Sequence, residues 1–183
     1  MVCMRFVFIF LSVLLLLFSL GCVQPSELKY RDTSSIPPSP QIRSFQSLSD
    51  SASVCLENGK PLILMFSTTT CPHCLWVNDT FNGVMKEYLD KNLVVVRHWE
   101  VDIGDDQFTP KRDSKVLEKD VALFEKVNPD FSVPTYVFGC KYYRVGNAFE
   151  VQGDLDAEAG EFKAVVEKLL LDANAVIAKS LNI

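Results

Sequence analysis

Residues 61–74 read PLILMFSTTTCPHC, and this stretch decides the predicted fold. It opens with a continuous apolar run of strand length, which is typical of a central strand covered on both faces. A short polar turn follows, and a helix is predicted to begin at Cys71 because Pro72 suits the first position of a helix. Apolar residues then recur along one face of that helix, at Cys74, Val77, Phe81, Val84, Met85 and Tyr88. Two cysteines are therefore expected at the junction of a buried strand and an amphipathic helix.

The rest of the chain predicts alternating helices and strands. Apolar spacing indicates a helix over residues 45–56, ended by Asn58–Gly59, and a closing helix over residues 158–181. Between them lie a predicted strand (93–102), a solvated loop with Asp105–Asp106, a helix (116–127), one long strand (132–145) and a strand that pairs back with it (148–152). This order predicts an α/β fold, with a mixed central β-sheet and helices on both of its faces.

Residues 1–22 are predicted to be a targeting segment. Arg5 precedes an apolar core from Phe6 to Leu20, which has the length of a secretory signal and is short for a membrane span. Gly21 and Cys22 resemble the end of a lipoprotein signal peptide, in which the cysteine becomes lipidated. Lipidation at Cys22, an uncleaved membrane anchor and ordinary secretion stay open as alternatives. Each of them places the rest of the chain outside the cytoplasm, and the first two tether it to a membrane.

Residues 23–44 are rich in serine and proline and show no apolar period, so they predict a linker. An arm packed on the domain is the alternative. Residues 45–183 are predicted to form the folded domain. The formal net charge of the chain is −5, which argues against a nucleic-acid partner because such a partner calls for a basic face.

From Phe45 to Leu171 the chain resembles the thioredoxin superfamily. Three features carry the resemblance: the buried strand that leads into Cys-x-x-Cys at a helix start, the tripeptide Val133–Pro134–Thr135 ahead of a strand, and Gly153 ahead of the last helix. The resemblance implies a thioredoxin fold and a thiol–disulfide oxidoreductase. It implies no cofactor beyond the redox-active Cys71–Cys74 pair.

The resemblance also implies roles for individual residues. Cys71 is the attacking sulfur, and Cys74 is the shielded sulfur that resolves a mixed disulfide. The helix N-terminus and a cationic His73 are expected to stabilise the Cys71 thiolate. Pro134 is expected to be cis and to face the cysteines. The groove for an extended substrate segment is expected to be lined by Pro72, Val133 and Thr135.

The dipeptide Pro72–His73 resembles the disulfide-forming proteins of the DsbA type, which favours an oxidant. The helical insertion of those proteins is absent from this chain. Thr70 stands where many thioredoxins have tryptophan. Met65 stands where both groups have a buried acid, so the proton for the buried sulfur must come from water or from another group.

Other interpretations of CPHC are open. A zinc clip needs a further ligand, and the one other histidine, His98, is predicted to be an ordinary strand residue. A purely structural bridge between Cys71 and Cys74 would close too small a loop to contribute much chain entropy. His73 could also be a solvated side chain without a role.

Cys55 and Cys140 are expected at the end of the sheet opposite Cys71. A structural disulfide between them is one alternative in an oxidising compartment, and it requires Cα atoms within about 7 Å. Two separate buried thiols are the prediction that the sequence favours.

These expectations together predict an extracytoplasmic, membrane-anchored enzyme that exchanges disulfides, as an oxidant, with cysteine-containing exported proteins. A membrane-bound or soluble redox partner would receive its electrons. A thioredoxin-like reductase, for example one that serves cytochrome c maturation, is an alternative. A non-catalytic binding lipoprotein with a thioredoxin fold is another.

Overall fold

The strand predicted from the apolar run is the centre of the observed sheet. The computed structural model describes residues 41–48 and 53–180, with side chains to residue 178. The central strand is β3, Lys60–Ser67, and every residue after Lys60 is buried. The predicted helix after it spans Pro72–Asp90 and buries the six predicted apolar positions. Strand, turn and helix therefore place Cys71 and Cys74 at one end of the sheet.

Over the described residues the sheet has seven strands, and it is mixed, as predicted. They are β1 (Gln46–Ser47), β2 (Leu56–Glu57), β3 (Lys60–Ser67), β4 (Val95–Glu100), β5 (Asp105–Asp106), β6 (Thr135–Phe138) and β7 (Tyr142–Val145). The order is β1-β7-β6-β3-β4-β5, and β2 also pairs with β3. The pairing of β3 with β4 is parallel, and the other pairings are antiparallel.

In the part of the chain that the structure describes, three α-helices cover the two faces of this sheet. They are α1 (Pro72–Asp90), α2 (Glu118–Val127) and α3 (Leu155–Ser180), and a short 3₁₀ helix (Glu150–Gln152) precedes α3. Successive β3 side chains point to opposite faces. Ile63 and Met65 therefore join the apolar cluster with α1 and α3, while Leu64 and Phe66 join the cluster with α2. The architecture is mixed α/β with helices on both faces.

The predicted helix over residues 45–56 is wrong in its described parts, because Gln46–Ser47 and Leu56–Glu57 are strands. Residues 49–52 of that prediction lie outside the described residues. Asn58 and Gly59 have φ angles of 52° and 76°, and Glu57 pairs with Lys60. Asn-Gly adopts such positive φ angles readily and favours a two-residue hairpin turn. The dipeptide predicted to end a helix therefore reverses the chain between two strands.

The predicted long strand over residues 132–145 is a hairpin of β6 and β7. The chain reverses at Gly139 and Cys140, whose φ angles are 63° and 55°. A Cβ atom at Gly139 would lie 2.2 Å from Cδ1 of Leu169, so any larger residue would force that buried side chain to move. Residues 148–152, predicted to pair back as a strand, instead include the 3₁₀ helix.

Asp105–Asp106, predicted to be a solvated loop, forms β5 against the end of β4. The Asp106 side chain is buried, and its Oδ1 accepts hydrogen bonds from the backbone N–H groups of His98 and Phe108. The predicted strand over residues 93–102 is confirmed as β4. The predicted helices over residues 116–127 and 158–181 are confirmed as α2 and α3.

The predicted signal segment with Cys22 and most of the predicted linker lie outside the described residues. The end of the linker is described and contacts the domain, because the backbone N–H groups of Arg43 and Ser44 donate to Oε1 of buried Glu161. Among the described helices, none has the length and hydropathy of a membrane span.

Candidate active site

Cys71 and Cys74 lie at the N-terminus of α1 as free thiols. Cys71 is the N-cap residue and is partly exposed, and its sulfur accepts a hydrogen bond from the Cys74 backbone N–H at 3.3 Å. Its thiol group also lies 3.7 Å from the Val133 carbonyl oxygen, to which it donates. The unpaired N–H groups at a helix start favour negative charge. The fold therefore directs a hydrogen-bond donor at the one sulfur of this pair that solvent reaches.

Cys74 differs from Cys71 because it is almost completely buried, with 2% of its surface exposed. Burial raises the pKa of the Cys74 thiol to about 12, and the hydrogen bond and charge of Cys71 and the charge of Asp102 act in the same direction. The Thr68 backbone N–H opposes them. At neutral pH Cys74 is therefore a protonated thiol, and it lies one helical turn after Cys71.

The loop before β6 lies against Cys71. The Val133–Pro134 peptide bond is cis, as the family resemblance implies. Of the predicted groove residues, Pro72 is exposed at the first position of α1 and Val133 is partly exposed. Thr135 is fully buried, and its hydroxyl donates to the Ser132 carbonyl oxygen and accepts from Asn128. The side chain of Thr135 therefore stabilises the loop by hydrogen bonds and does not line an open groove, in contrast to the prediction.

His73 forms hydrogen bonds with Asn147 and Glu150, in a loop that is far from it in sequence. Its Nδ1 lies 2.8 Å from Oε1 of Glu150, in the 3₁₀ helix before α3. Asn147 Nδ2 donates both to the His73 carbonyl oxygen and to Oε2 of Glu150, each at 2.8 Å. Desolvation raises the pKa of Glu150, but the hydrogen bonds from Asn147 and His73 outweigh it and leave that pKa below its usual range. Glu150 is therefore a carboxylate at neutral pH.

Met65 is fully buried among apolar residues, so no acid occupies that position beneath the cysteines. A carboxylate does act on the pair from the surface, because the charge of Asp102 contributes to the raised pKa of Cys74. The backbone N–H and the hydroxyl of Thr69 donate to Asp102, and its pKa is lowered chiefly by the hydroxyl hydrogen bond. Sequence reasoning missed Asp102, Asn147 and Glu150 as site residues, since only the folded turns bring them to α1.

His98 lies within β4, as predicted, and it is fully buried. Its Nε2 lies 2.8 Å from the Ser67 hydroxyl and its Nδ1 lies 2.8 Å from Oδ1 of Asn82. Burial lowers the pKa of His98 to about 3, so the ring is neutral near pH 7. Within residues 41–48 and 53–180, no group of three or more His, Cys, Asp or Glu side chains is arranged to hold a metal ion.

Cys55 and Cys140 form a disulfide with a Cα–Cα distance of 5.4 Å. The favoured prediction of two separate thiols is therefore wrong. The reason is the hairpin turn at Gly139, whose carbonyl oxygen accepts from the Cys55 backbone N–H. Leu62, near the start of β3, donates its backbone N–H to the Cys55 carbonyl oxygen, whereas Cys71 follows the end of β3. The bridge therefore lies at the end of the sheet opposite the free cysteines, as predicted.

Comparison with family models and with curated proteins found no match to the chain. The chemistry available to the site follows from its geometry. It contains one accessible sulfur at a helix N-terminus, one shielded sulfur a turn away, and a histidine paired with a carboxylate beside them.

Proposed function

We propose that this protein is a thiol–disulfide oxidoreductase with a thioredoxin-like fold, and that Cys71 and Cys74 are its redox pair. The observation that carries the proposal is the difference between the two sulfurs. Cys71 is accessible and accepts a helix N-terminal N–H, whereas Cys74 is buried with a raised pKa. The thiolate is the nucleophile in disulfide exchange. Such a pair has a single attacking sulfur and keeps the second one for resolution.

As an oxidant, the enzyme would start with a Cys71–Cys74 disulfide. A substrate thiolate attacks the Cys71 sulfur, the Cys71–Cys74 bond breaks, and the Cys74 sulfur leaves and takes up a proton. A second substrate thiolate then attacks the substrate sulfur of the mixed disulfide and releases Cys71. Two electrons pass from the substrate dithiol to the enzyme, and the enzyme ends as a dithiol.

The direction of oxidation is favoured by the contacts of Cys71. An N–H group aimed at its sulfur stabilises the reduced form, and a disulfide whose reduced form is stabilised is a stronger oxidant. A reduction potential of about −120 mV for Cys71 and Cys74 would support the oxidant, and one of about −270 mV would support a reductase. The electrons would leave through a membrane-bound or soluble redox partner.

We further propose that the substrates are cysteine-containing exported proteins. The Val133 carbonyl oxygen is next to Cys71, and Pro134 has no N–H, which leaves space for a substrate strand close to the sulfur. The Cys55–Cys140 disulfide fits an oxidising compartment outside the cytoplasm. Anchoring through the N-terminal segment, with lipidation at Cys22, stays part of this proposal.

Replacing Cys74 by serine tests the function. Cys71 can then attack a substrate disulfide, but no second sulfur resolves the product, so mixed disulfides through Cys71 should accumulate in the native host. The matched control is the Cys71→Ser, Cys74→Ser double variant, which should trap nothing. If the single variant also traps nothing, the oxidoreductase is refuted. Unchanged partner binding by the double variant would instead support a scaffold with the same fold.

A further inference from the structure

We propose that Glu150 is a positioning residue that holds a proton on Nδ1 of His73, so that Nε2 of the same ring accepts the proton of an incoming thiol. This inference rests on the proposed function. Met65 is buried among apolar residues, so that position of the core offers no acid or base for the exchange. The His73–Glu150 pair would supply the proton transfer from the surface.

The geometry fixes which nitrogen of His73 carries the proton. Glu150 faces Nδ1 at 2.8 Å, and a carboxylate can only accept a hydrogen bond. Nδ1 must therefore be the donor. In a neutral imidazole one nitrogen is a donor and the other an acceptor, so Nε2 is free of hydrogen. The His73 side chain is 66% exposed, so a small thiol can reach its ring.

Glu150 is held in place by Asn147, which buried Tyr136 holds in turn. Nδ2 of Asn147 donates to Oε2 of Glu150, and Oδ1 of the same side chain accepts from the hydroxyl of buried Tyr136 at 2.7 Å. That second contact fixes the orientation of the amide, so its NH₂ group faces Glu150 and the His73 carbonyl oxygen. The carboxylate is thus positioned before any substrate arrives.

The loop that carries Glu150 has an anchor of its own. Oε2 of Glu158 accepts from the backbone N–H groups of Ala148 and Phe149, each at 3.1 Å, and the buried Arg144 pairs with Glu158. These contacts do not involve the Glu150 side chain. A Glu150→Gln variant should therefore keep the loop conformation. Its side-chain NH₂ can donate to Nδ1 of His73, so Nδ1 would no longer be required to carry the proton.

The proton moves with the bond exchange as follows. The incoming thiol gives its proton to Nε2 of His73, and its sulfur attacks Cys71. The Cys71–Cys74 bond breaks, the Cys74 sulfur leaves and takes up a proton from solvent, and His73 returns the proton that it accepted to solvent. The net change is one proton moved from the incoming thiol to Cys74. The charged or titratable groups described around this transfer include Glu150 from the 3₁₀ helix, Cys71 and Cys74 at the start of α1, Asp102 after β4, and buried Tyr136 of β6.

The tautomer can be measured directly by ¹⁵N NMR of the imidazole nitrogens. The chain has two histidines, so the ring signals that disappear in a His73→Phe variant belong to His73 and the others to His98. The neutral ring of wild-type His73 should be the Nδ1–H tautomer, and Glu150→Gln should shift it towards Nε2–H. An Nε2–H tautomer in the wild type, or no change in the variant, would overturn the proposal. This readout does not depend on exchange activity.

The kinetic test follows the reduction of the oxidised protein by reduced glutathione at pH 7. We expect Glu150→Gln to slow it about tenfold, a part of the effect of a general acid–base group. In a His73→Phe background the same change should have no further effect, because Glu150 acts through the ring. Glu118→Gln, which removes an exposed carboxylate from α2, is the charge-matched control. An equal loss with and without His73 would refute the role, whereas a wild-type protein that does not exchange at all would refute the proposed function instead.

Discussion

The two cysteine pairs of this molecule lie at opposite ends of the same central strand and differ in every property that decides their chemistry. Cys71 and Cys74 are three residues apart at a helix start, and both are free thiols. Cys55 and Cys140 are 85 residues apart and bonded. At the first pair the backbone directs an N–H at one sulfur and buries the other. At the second pair the backbone brings two distant turns together.

This contrast shows what decides whether a cysteine has a structural or a reactive role: its separation in sequence from its partner, and its electrostatic environment. A bridge across a long stretch restricts the unfolded chain strongly, whereas a bridge across three residues barely restricts it. A sulfur at a helix N-terminus is stabilised as an anion, which the sulfurs of a closed structural bridge do not need. We therefore expect changes at Cys55 and Cys140 to affect stability, and changes at Cys71 and Cys74 to affect exchange.

The largest effect should come from removing the structural bridge. Replacing Cys55 and Cys140 by serine should lower the free energy of unfolding by about 4–5 kcal/mol, as the chain-entropy relation gives for a separation of 85 residues. Urea unfolding of the variant and of the oxidised wild type measures the difference. The Cys71→Ser, Cys74→Ser variant is the control and should lose far less. If both variants lost the same amount, the division between the two pairs would be wrong.

The same division explains what could be predicted from the sequence. The strand, the helix and the active cysteines were predictable because all their signals lie within residues 61–90. The bridge was not, because the approach of Cys55 to Cys140 depends on two turns that the sequence assigned wrongly. Asn58–Gly59 is a turn signal, but its position after an apolar helical spacing predicts a helix end. Glu150 lies within a predicted strand, and no local pattern links it to His73, 77 residues away.

The next effect concerns the buried sulfur of Cys74. It tests whether Cys71 and Cys74 differ in reactivity. Burial raises the pKa of Cys74 from 9.0 to about 12, and each unit reduces the thiolate fraction tenfold at pH 8. Iodoacetamide should therefore modify Cys74 about a thousandfold more slowly than an ordinary thiol, while partly exposed Cys71 reacts. Peptide mapping by mass spectrometry of the reduced protein identifies the modified residue. In urea the difference should vanish, and comparable rates for both cysteines in the folded protein would contradict it.

The smallest effect lies at the disulfide end of the sheet, on β2, which directly follows Cys55. Glu57 of β2 forms ion pairs with Arg97 and with Lys119, whose Nζ lies 2.7 Å from Oε2 of Glu57. The hydrogen bond from Arg97 and then that from Lys119 lower the pKa of Glu57 from 4.5 to about 2. A carboxyl group with a lowered pKa in the folded state stabilises the fold above pH 4.5, and this stabilisation is lost as the pH falls towards 2.

Glu57→Gln should therefore lower the free energy of unfolding by about 1 kcal/mol at pH 7, because a partly exposed pair is screened by solvent. The difference from the wild type should shrink below pH 4.5 and disappear near pH 2, as urea unfolding at several pH values can show. Exchange through Cys71 should not change, since Glu57 lies at the far end of the sheet. A difference that persisted at pH 2 would mean that Glu57 stabilises β2 by packing and not by its charge.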